Sequence, residues 1–373
     1  MNILFYTSFN ERSIAIESAV CYFLNKGDNV FFVTTCSKGS IHNVLEEKGV
    51  RCFGTDSIKA SHFSNISFLI SFCKKHQISI IHSHLQLPNF YSSIARFFIK
   101  SQLLTVRHNS DVVQLYGTKK EIMIEKLINK LSPRIIAISD KVKKQLLDVE
   151  GVKSDKIYRI NNGYDFKQYE TLSLYDEYVK LKAKFQGKFV LLSPGRLILS
   201  KRHQECIHGL AQLVKKYPHL HLIIIGDGPD KNELEKLIQS YHLFNHVSLI
   251  GYKENIIDYI KIADVVVQLS SSEASNNTIK EAAYFNKTCI ACENVGDFSD
   301  YMVNRISGFL LQKENPTFEF VKTIEEIIHN PEHYTVFGEE LKKEVIKQFD
   351  IVEVGRKYDE LHDTILKYPV NNE

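Results

Sequence analysis

Short apolar runs alternate with longer amphipathic stretches along most of the chain. An apolar run of four to eight residues bounded by turn formers predicts a buried strand, and apolar positions recurring three and four apart predict a helix. Residues 3–7 then form a strand, 14–25 a helix ended by Gly27, and 30–34 a second strand. Further strands are predicted at 51–53, 78–83, 103–107, 134–139 and 157–160, with helices at 41–48, 65–76, 90–100, 121–131 and 141–147. Between 162 and 187 the pattern loses its strands and becomes polar, charged and tyrosine-rich, which marks a junction. A second series follows, with strands at 189–193, 220–226, 247–251, 265–269 and 288–291 and helices at 204–216, 231–241, 255–262 and 278–285. After Pro331 the pattern is helical, over 334–348 and 352–366. Strands separated throughout by helices imply parallel sheets covered on both faces.

A length of 373 residues exceeds what one hydrophobic core supports, so two domains are expected. The apolar fraction of 44% and charged fraction of 24% exclude a disordered or fibrous chain. A net charge of +3 gives no reason to expect nucleic acid. Arg96, Lys100, Lys119, Lys120, Lys126 and Lys130 nevertheless gather in the first half near apolar residues, a pattern open to a membrane surface or an acidic acceptor. Seven cysteines without a framework suit a reducing, cytoplasmic compartment. Cys289 and Cys292 have the CxxC spacing, but they lack a second pair and sit in a predicted buried strand. The first residues read as a strand with no cationic leader, and no run reaches the roughly 18 apolar residues of a spanning helix, so neither secretion nor membrane integration is expected.

Candidate chemistry sits at strand ends. The segment 270–283 carries Glu273 and Glu281 where a strand gives way to a helix, in the crevice where open parallel sheets collect ligands. Two carboxylates there suit a hydroxyl-rich ligand, although Glu281 alone would equally complement a helix dipole. Ser193 to Lys201 follows another strand and sends Arg196 and Lys201 out at the same edge. Two cations beside Gly195 and a helix N-terminus suit a diphosphate, and the plainer reading is a solvated surface pair. Gly226-Asp-Gly-Pro229 turns tightly into a helix, either against a nucleotide or simply as a connection.

The order cation pair, glycine turn, carboxylate pair at successive strand ends resembles the donor-binding domain of retaining glycosyltransferases of family 4. That resemblance spans most of the chain. It implies an α/β protein of GT-B architecture, two Rossmann-like doubly wound parallel-sheet domains facing across a cleft. Residues 1–165 would bind acceptor and be completed by a C-terminal helix at 350–373, residues 166–187 would link, and 188–349 would bind a nucleoside diphosphate sugar. Arg196 and Lys201 would hold the diphosphate, Glu281 the ribose hydroxyls and Glu273 hydroxyls of the transferred sugar, with Gly195 and Gly226 close to the donor. Thr105-Val-Arg-His108 resembles the family's T-x-x-H element, which implies His108 near the reacting sugar. Ile136-Ala-Ile-Ser139 and Ile160-Asn-Asn-Gly-Tyr-Asp165 resemble two further, mainly structural, elements.

The resemblance further implies transfer with retention, no metal and no cofactor beyond the sugar nucleotide, for which a UDP-sugar is expected. The acceptor would be a hydroxyl of a glycan or lipid-linked molecule in cell-surface polysaccharide or glycoconjugate synthesis. The setting would be cytoplasmic, with peripheral membrane contact through the first domain. His82 and His84 lack the clustered carboxylates of a metal site and read as packing or cleft residues. Two departures stand out. The family's glycine-rich first loop is replaced by Ser8-Phe-Asn-Glu-Arg-Ser13, and Ala274, Ser275, Asn276 and Asn277 replace a glycine-phenylalanine loop, so Asn276 and Asn277 are candidates for choosing the donor sugar. A nucleotide-sugar epimerase on the same fold and a non-catalytic sugar-nucleotide binder are the competing readings. A dehydrogenase is disfavoured because no GxGxxG follows the first strand.

Overall fold

The computed structural model describes residues 1–55, 61–110 and 117–369, so the last part of the expected 350–373 segment lies outside the described residues. The chain forms two compact units, Met1–Asp165 with Phe349–Glu373, and Phe166–Gln348. In the first, strands β1 (Asn2–Thr7), β2 (Asn29–Thr34), β3 (Arg51–Gly54), β4 (Ile80–His84), β5 (Gln102–Arg107), β6 (Ile135–Ala137) and β7 (Ile157–Arg159) form a parallel sheet in the order β3-β2-β1-β4-β5-β6-β7. In the second, β8 (Phe189–Pro194), β9 (Leu220–Ile225), β10 (Val247–Leu249), β11 (Val265–Gln268), β12 (Thr288–Cys292) and β13 (Phe309–Leu311) are parallel in the order β10-β9-β8-β11-β12-β13. Both are doubly wound Rossmann-like sheets, reversing direction between β1 and β4 and between β8 and β11. Helices on both faces explain why β9 is buried at every position and reads as one apolar run.

Three differences from the sequence reading have physical causes. Residues 166–187, expected as a linker, contain helices Gln168–Leu172 and Tyr175–Lys184 and belong to the second unit. Their charged residues are a solvated face over buried Leu181 and Phe185, and Asp258 accepts hydrogen bonds from Ser173 and the Leu174 amide. The helix expected at 90–100 runs instead from Gln86 to Ala95, followed by a tight turn at Arg96–Phe98. Tyr91 and Ala95 join the core while Phe97 and Phe98 remain exposed, so this helix covers the sheet rather than offering a whole apolar face. Strand β13 is the third difference, a three-residue strand beyond the last one predicted. No helix among the described residues is long and apolar enough to cross a membrane.

The helix Ile351–Lys367 returns to the first unit against the helix Ile14–Asn25. The approach is close: a Cβ on Gly355 would stand 2.3 Å from Tyr22 Cζ. Tyr22 donates to Asp359 at 2.8 Å, Lys26 pairs with the same carboxylate at 2.6 Å, and His362 Nε2 meets His82 Nε2 of β4 at 2.7 Å. Both histidines are buried, and burial lowers their pKa, to about 4 for His362.

A histidine depressed on folding stays neutral in the native state while the unfolded chain takes up a proton below about pH 6.5. Stability of the first unit is therefore predicted to fall as pH drops from 7.5 to 5.5, by up to about 1.4 kcal/mol per pH unit for each proton taken up. Urea unfolding at several pH values should show this slope, and His362→Leu should flatten it. An unchanged slope in the variant would contradict the assignment.

Candidate functional site

In the second unit β8 ends at Pro194, and the chain passes through Gly195 and exposed Arg196 into the turn Leu199–Lys201. Arg202, in the left-handed region at φ 54°, then starts the helix His203–Leu213. The loop beyond β9 packs directly beneath. Gly226 adopts φ 151°, and a Cβ on it would lie 1.9 Å from the Gly195 carbonyl oxygen. Backbone bonds join the two loops, from Gly195 N to Ile225 O and from Leu197 N to Asp227 O, both 2.9 Å. The glycine turn is thus the seat that positions Arg196.

Between these loops lies a cavity of about 520 Å³ whose lining includes Gly195, Arg196, Gly226, Tyr252, Asn277 and Glu281. It opens at the carboxyl ends of the strands beside the reversal of strand order, the expected place for a ligand. Glu281 lies past the first turn of the helix Asn277–Tyr284, which has no acidic residue in that turn, so complementing the helix dipole does not explain it. Burial pushes its pKa up to about 7, opposed by the neighbouring Lys280 ammonium. No hydrogen bond engages the Glu281 carboxyl among the described residues.

Lys201 and Glu273 do not line this cavity; they meet each other. Lys201 Nζ lies 2.5 Å from Glu273 Oε1, which also accepts from Ser270 Oγ at 2.8 Å and Asn276 Nδ2 at 3.2 Å. Lys201 reaches there because the Ser271 amide donates to Ser200 O at 2.8 Å, tying the loop after β11 to the turn after β8. Gly195 links pair and cavity, since its missing Cβ would sit 3.5 Å from Lys201 Cδ.

Of the loop residues Ala274, Ser275, Asn276 and Asn277, the cavity lining includes Asn277. Ala274 is half-buried. Ser275 Oγ donates to Asp297 at 2.7 Å, the Asn276 amide donates to the same carboxylate at 3.1 Å, and the Asn276 side chain caps the helix by accepting from Ile279 N at 3.0 Å. The Asn276 side chain is thus engaged at both ends, as the helix cap through Oδ1 and on Glu273 through Nδ2. Lys280, fully buried, donates to Asp297 at 2.6 Å, Asn276 O at 2.8 Å and Ser275 Oγ at 3.1 Å. Burial lowers the Lys280 pKa, with Asp297 opposing.

Lys280 and Asp297 escaped the sequence reading because a lysine in a helix ordinarily reads as solvated. Tyr252 escaped although it follows β10, where the strand-end rule could have found it. His108 belongs to the first unit, directly after β5, with Nε2 2.9 Å from His84 Nδ1. No group of three or more metal-ligating side chains occurs among the described residues.

Two family models match the chain. One for glycosyl transferases group 1 matches residues 176–344, and one for glycosyltransferase family 4 matches residues 16–168. The chain is a family 4-type, group 1 glycosyltransferase. EpsD of Bacillus subtilis, a glycosyltransferase by name, is 26% identical over 229 residues, 60% of this chain and 59% of EpsD. An uncharacterised glycosyltransferase of Methanocaldococcus jannaschii is 32% identical over 139 residues, 37% of this chain and 31% of the relative. The matched stretches thus span about three fifths and one third of these relatives. The solved structure of Anabaena HepE with UDP and glucose is similar to this group 1 glycosyltransferase at a TM-score of 0.85 and 18% identity, covering 98% of this chain and all of HepE. That likeness establishes the GT-B fold.

In this glycosyltransferase, removing one partner of the Lys280–Asp297 pair leaves a buried charge uncompensated. Lys280→Met is predicted to destabilise the second unit by about 3–5 kcal/mol in urea unfolding. The double change Lys280→Met with Asp297→Asn should recover part of that loss. Equal losses in the single and double variants would contradict the pairing.

Proposed function

We propose that the chain transfers a sugar from a nucleoside diphosphate sugar to an acceptor hydroxyl, with retention at the anomeric carbon and without a metal. The observation that carries this reading is the strand-end cavity holding an arginine at one loop and an unpartnered carboxyl on the facing helix. A diphosphate suits Arg196, the Gly195 backbone and the N-terminus of the helix His203–Leu213. Ribose hydroxyls suit Glu281, a carboxylate able to accept two hydrogen bonds. UDP is the diphosphate favoured here, in keeping with the UDP held by HepE.

In this reading the donor's diphosphate shares Lys201 with Glu273, freeing Glu273 to accept from hydroxyls of the transferred sugar. The bond from the anomeric carbon to phosphate oxygen breaks as the acceptor oxygen bonds that carbon on the same face. Arg196 and Lys201 stabilise the charge gathering on the leaving diphosphate, the task a metal performs elsewhere. The acceptor's proton passes to the departing phosphate oxygen. His108 orients the substrate. The acceptor is a hydroxyl of a glycan or lipid-linked molecule, placing the reaction in cell-surface polysaccharide or glycoconjugate synthesis at the cytoplasmic face of a membrane.

Product analysis with labelled sugar nucleotides tests the reaction directly. Transfer to an acceptor is expected, and interconversion of the donor without transfer would overturn the reading. Lys201→Ala should slow turnover about 100-fold or more, and near-normal rates would remove Lys201 from the reaction.

Binding should also depend on pH in a defined direction. Free Glu281 holds a proton until about pH 7, and hydroxyls donating to its charged form lower that pKa on binding. UDP binding should therefore release protons near neutrality and weaken as pH falls below 7. Calorimetry should show this in the parent chain, while Glu281→Gln should bind about 10-fold or more weakly with the proton release lost. Undiminished proton release in the variant would contradict the assignment.

A further inference from the structure

The first unit contains an imidazole pair, buried at His84 and half-buried at His108, of which only His108 has a part in the proposed reaction. His84 ends β4, and His108 follows β5, the neighbouring strand in which Val106 stands opposite His84. His84 Nδ1 and His108 Nε2 are 2.9 Å apart, with ring centroids 5.1 Å apart and planes inclined at 32°. Phe5 of β1 stacks on His84 at 5.9 Å and 18°, which fixes the plane of that ring. Directly after His84 the backbone enters a region that side chains rarely adopt, Leu85 standing at φ 71°, ψ 165°. Strain of this kind costs on the order of 1–3 kcal/mol and collects at functional sites. Here it lies at the reversal of strand order between β1 and β4.

Proton placement in the pair follows from counting donors. A neutral imidazole carries one N–H, and the bond between the rings uses one of the two available. His84 Nε2 is buried and has no hydrogen-bond partner. An orphaned buried N–H is rarer than an orphaned acceptor, so the His84 proton belongs on Nδ1, donated to His108 Nε2, and Nε2 keeps a bare lone pair. His108 then accepts at Nε2 and carries its own proton on Nδ1. No hydrogen bond engages that Nδ1 among the described residues. Burial lowers the pKa of both rings, to about 4 for His108, so the pair is neutral at physiological pH.

We propose that His84 is a positioning residue that locks His108 into the Nδ1-protonated tautomer, so that His108 meets substrate as a hydrogen-bond donor and not as a base. The chemical class it would recognise is a hydroxyl or ring oxygen of a sugar, an identity that rests on the transferase reading. The tautomer does not. His84 has no need to touch substrate; it acts through the one nitrogen of His108 that would otherwise compete for the proton.

The test is a two-bond proton–nitrogen NMR spectrum of the full chain labelled with 15N-histidine at neutral pH, His108 being assigned by its loss in His108→Gln. The expected pattern is a protonated-type Nδ1 and a bare-type Nε2 at His108, and the opposite pattern would overturn the proposal. His84→Leu should release His108 towards the Nε2-protonated form and lower kcat by about 10- to 100-fold with UDP affinity unchanged. His84→Asn, whose side-chain amide can donate in place of Nδ1–H, should restore both the tautomer and most of the rate. A rate loss equal in both variants, with the His108 tautomer unmoved, would make His84 merely structural and defeat the proposal. Should His84→Leu fail to fold, the parent spectrum alone decides the tautomer. If the parent chain transfers no sugar from any donor, the transferase reading falls while the NMR result still settles the lock.

Discussion

The carbonyl oxygen of Gly195 occupies the space in which any side chain at residue 226 would have to stand, 1.9 Å from an ideal Cβ. This contact lets the loops beyond β8 and β9 lie one on the other. From it follow the exit direction of Arg196, the turn that brings Lys201 back beside Gly195, and the shape of the cavity reached by Glu281. Steric exclusion at one glycine thus places two cations of the loop beyond β8 near a carboxyl of the helix Asn277–Tyr284.

Charge compensation organises the remainder of the second unit. Lys201 and Glu273 neutralise one another at the edge of the site, and Lys280 and Asp297 do so in full burial beneath it. Buried pairs of this kind stabilise little in net terms, and their use here is to fix geometry. Asp297 holds both Ser275 and Asn276, so the segment between the two glutamates is pinned to the body of the unit. Glu281 differs from its neighbours: its carboxyl is desolvated without a hydrogen bond, a state that favours a ligand able to supply hydroxyl donors. The first unit achieves polarity by another route, with histidines kept neutral by burial and bonded to one another.

Much of this was legible in the chain. The period of apolar residues placed the helix Ile14–Asn25 to the residue and most strands to within one or two, because parallel strands buried on both faces leave short, dense apolar runs. That Arg196 and Glu281 come together at one cavity was legible because parallel sheets open at their strand ends, a rule needing only the strand positions. What remained hidden depends on partners distant in sequence. Lys280 reads as a solvated helix residue until Asp297, on another loop, is seen against it, and the same holds for the inward turn of Asn276. The helices within 166–187 were missed because their buried face is narrow and their charges numerous. His84 and His108 were each visible, but their pairing across β4 and β5 appears only with the register.

The central claim is that the cavity between Gly195, Arg196 and Glu281 is the seat of a nucleoside diphosphate. A crystal structure of the chain grown with UDP tests it most directly. The account predicts the ribose hydroxyls within hydrogen-bond distance of the Glu281 carboxyl and the diphosphate against Arg196 and the Gly195 backbone. UDP ordered at another place on the second unit, with Glu281 unengaged, would contradict it.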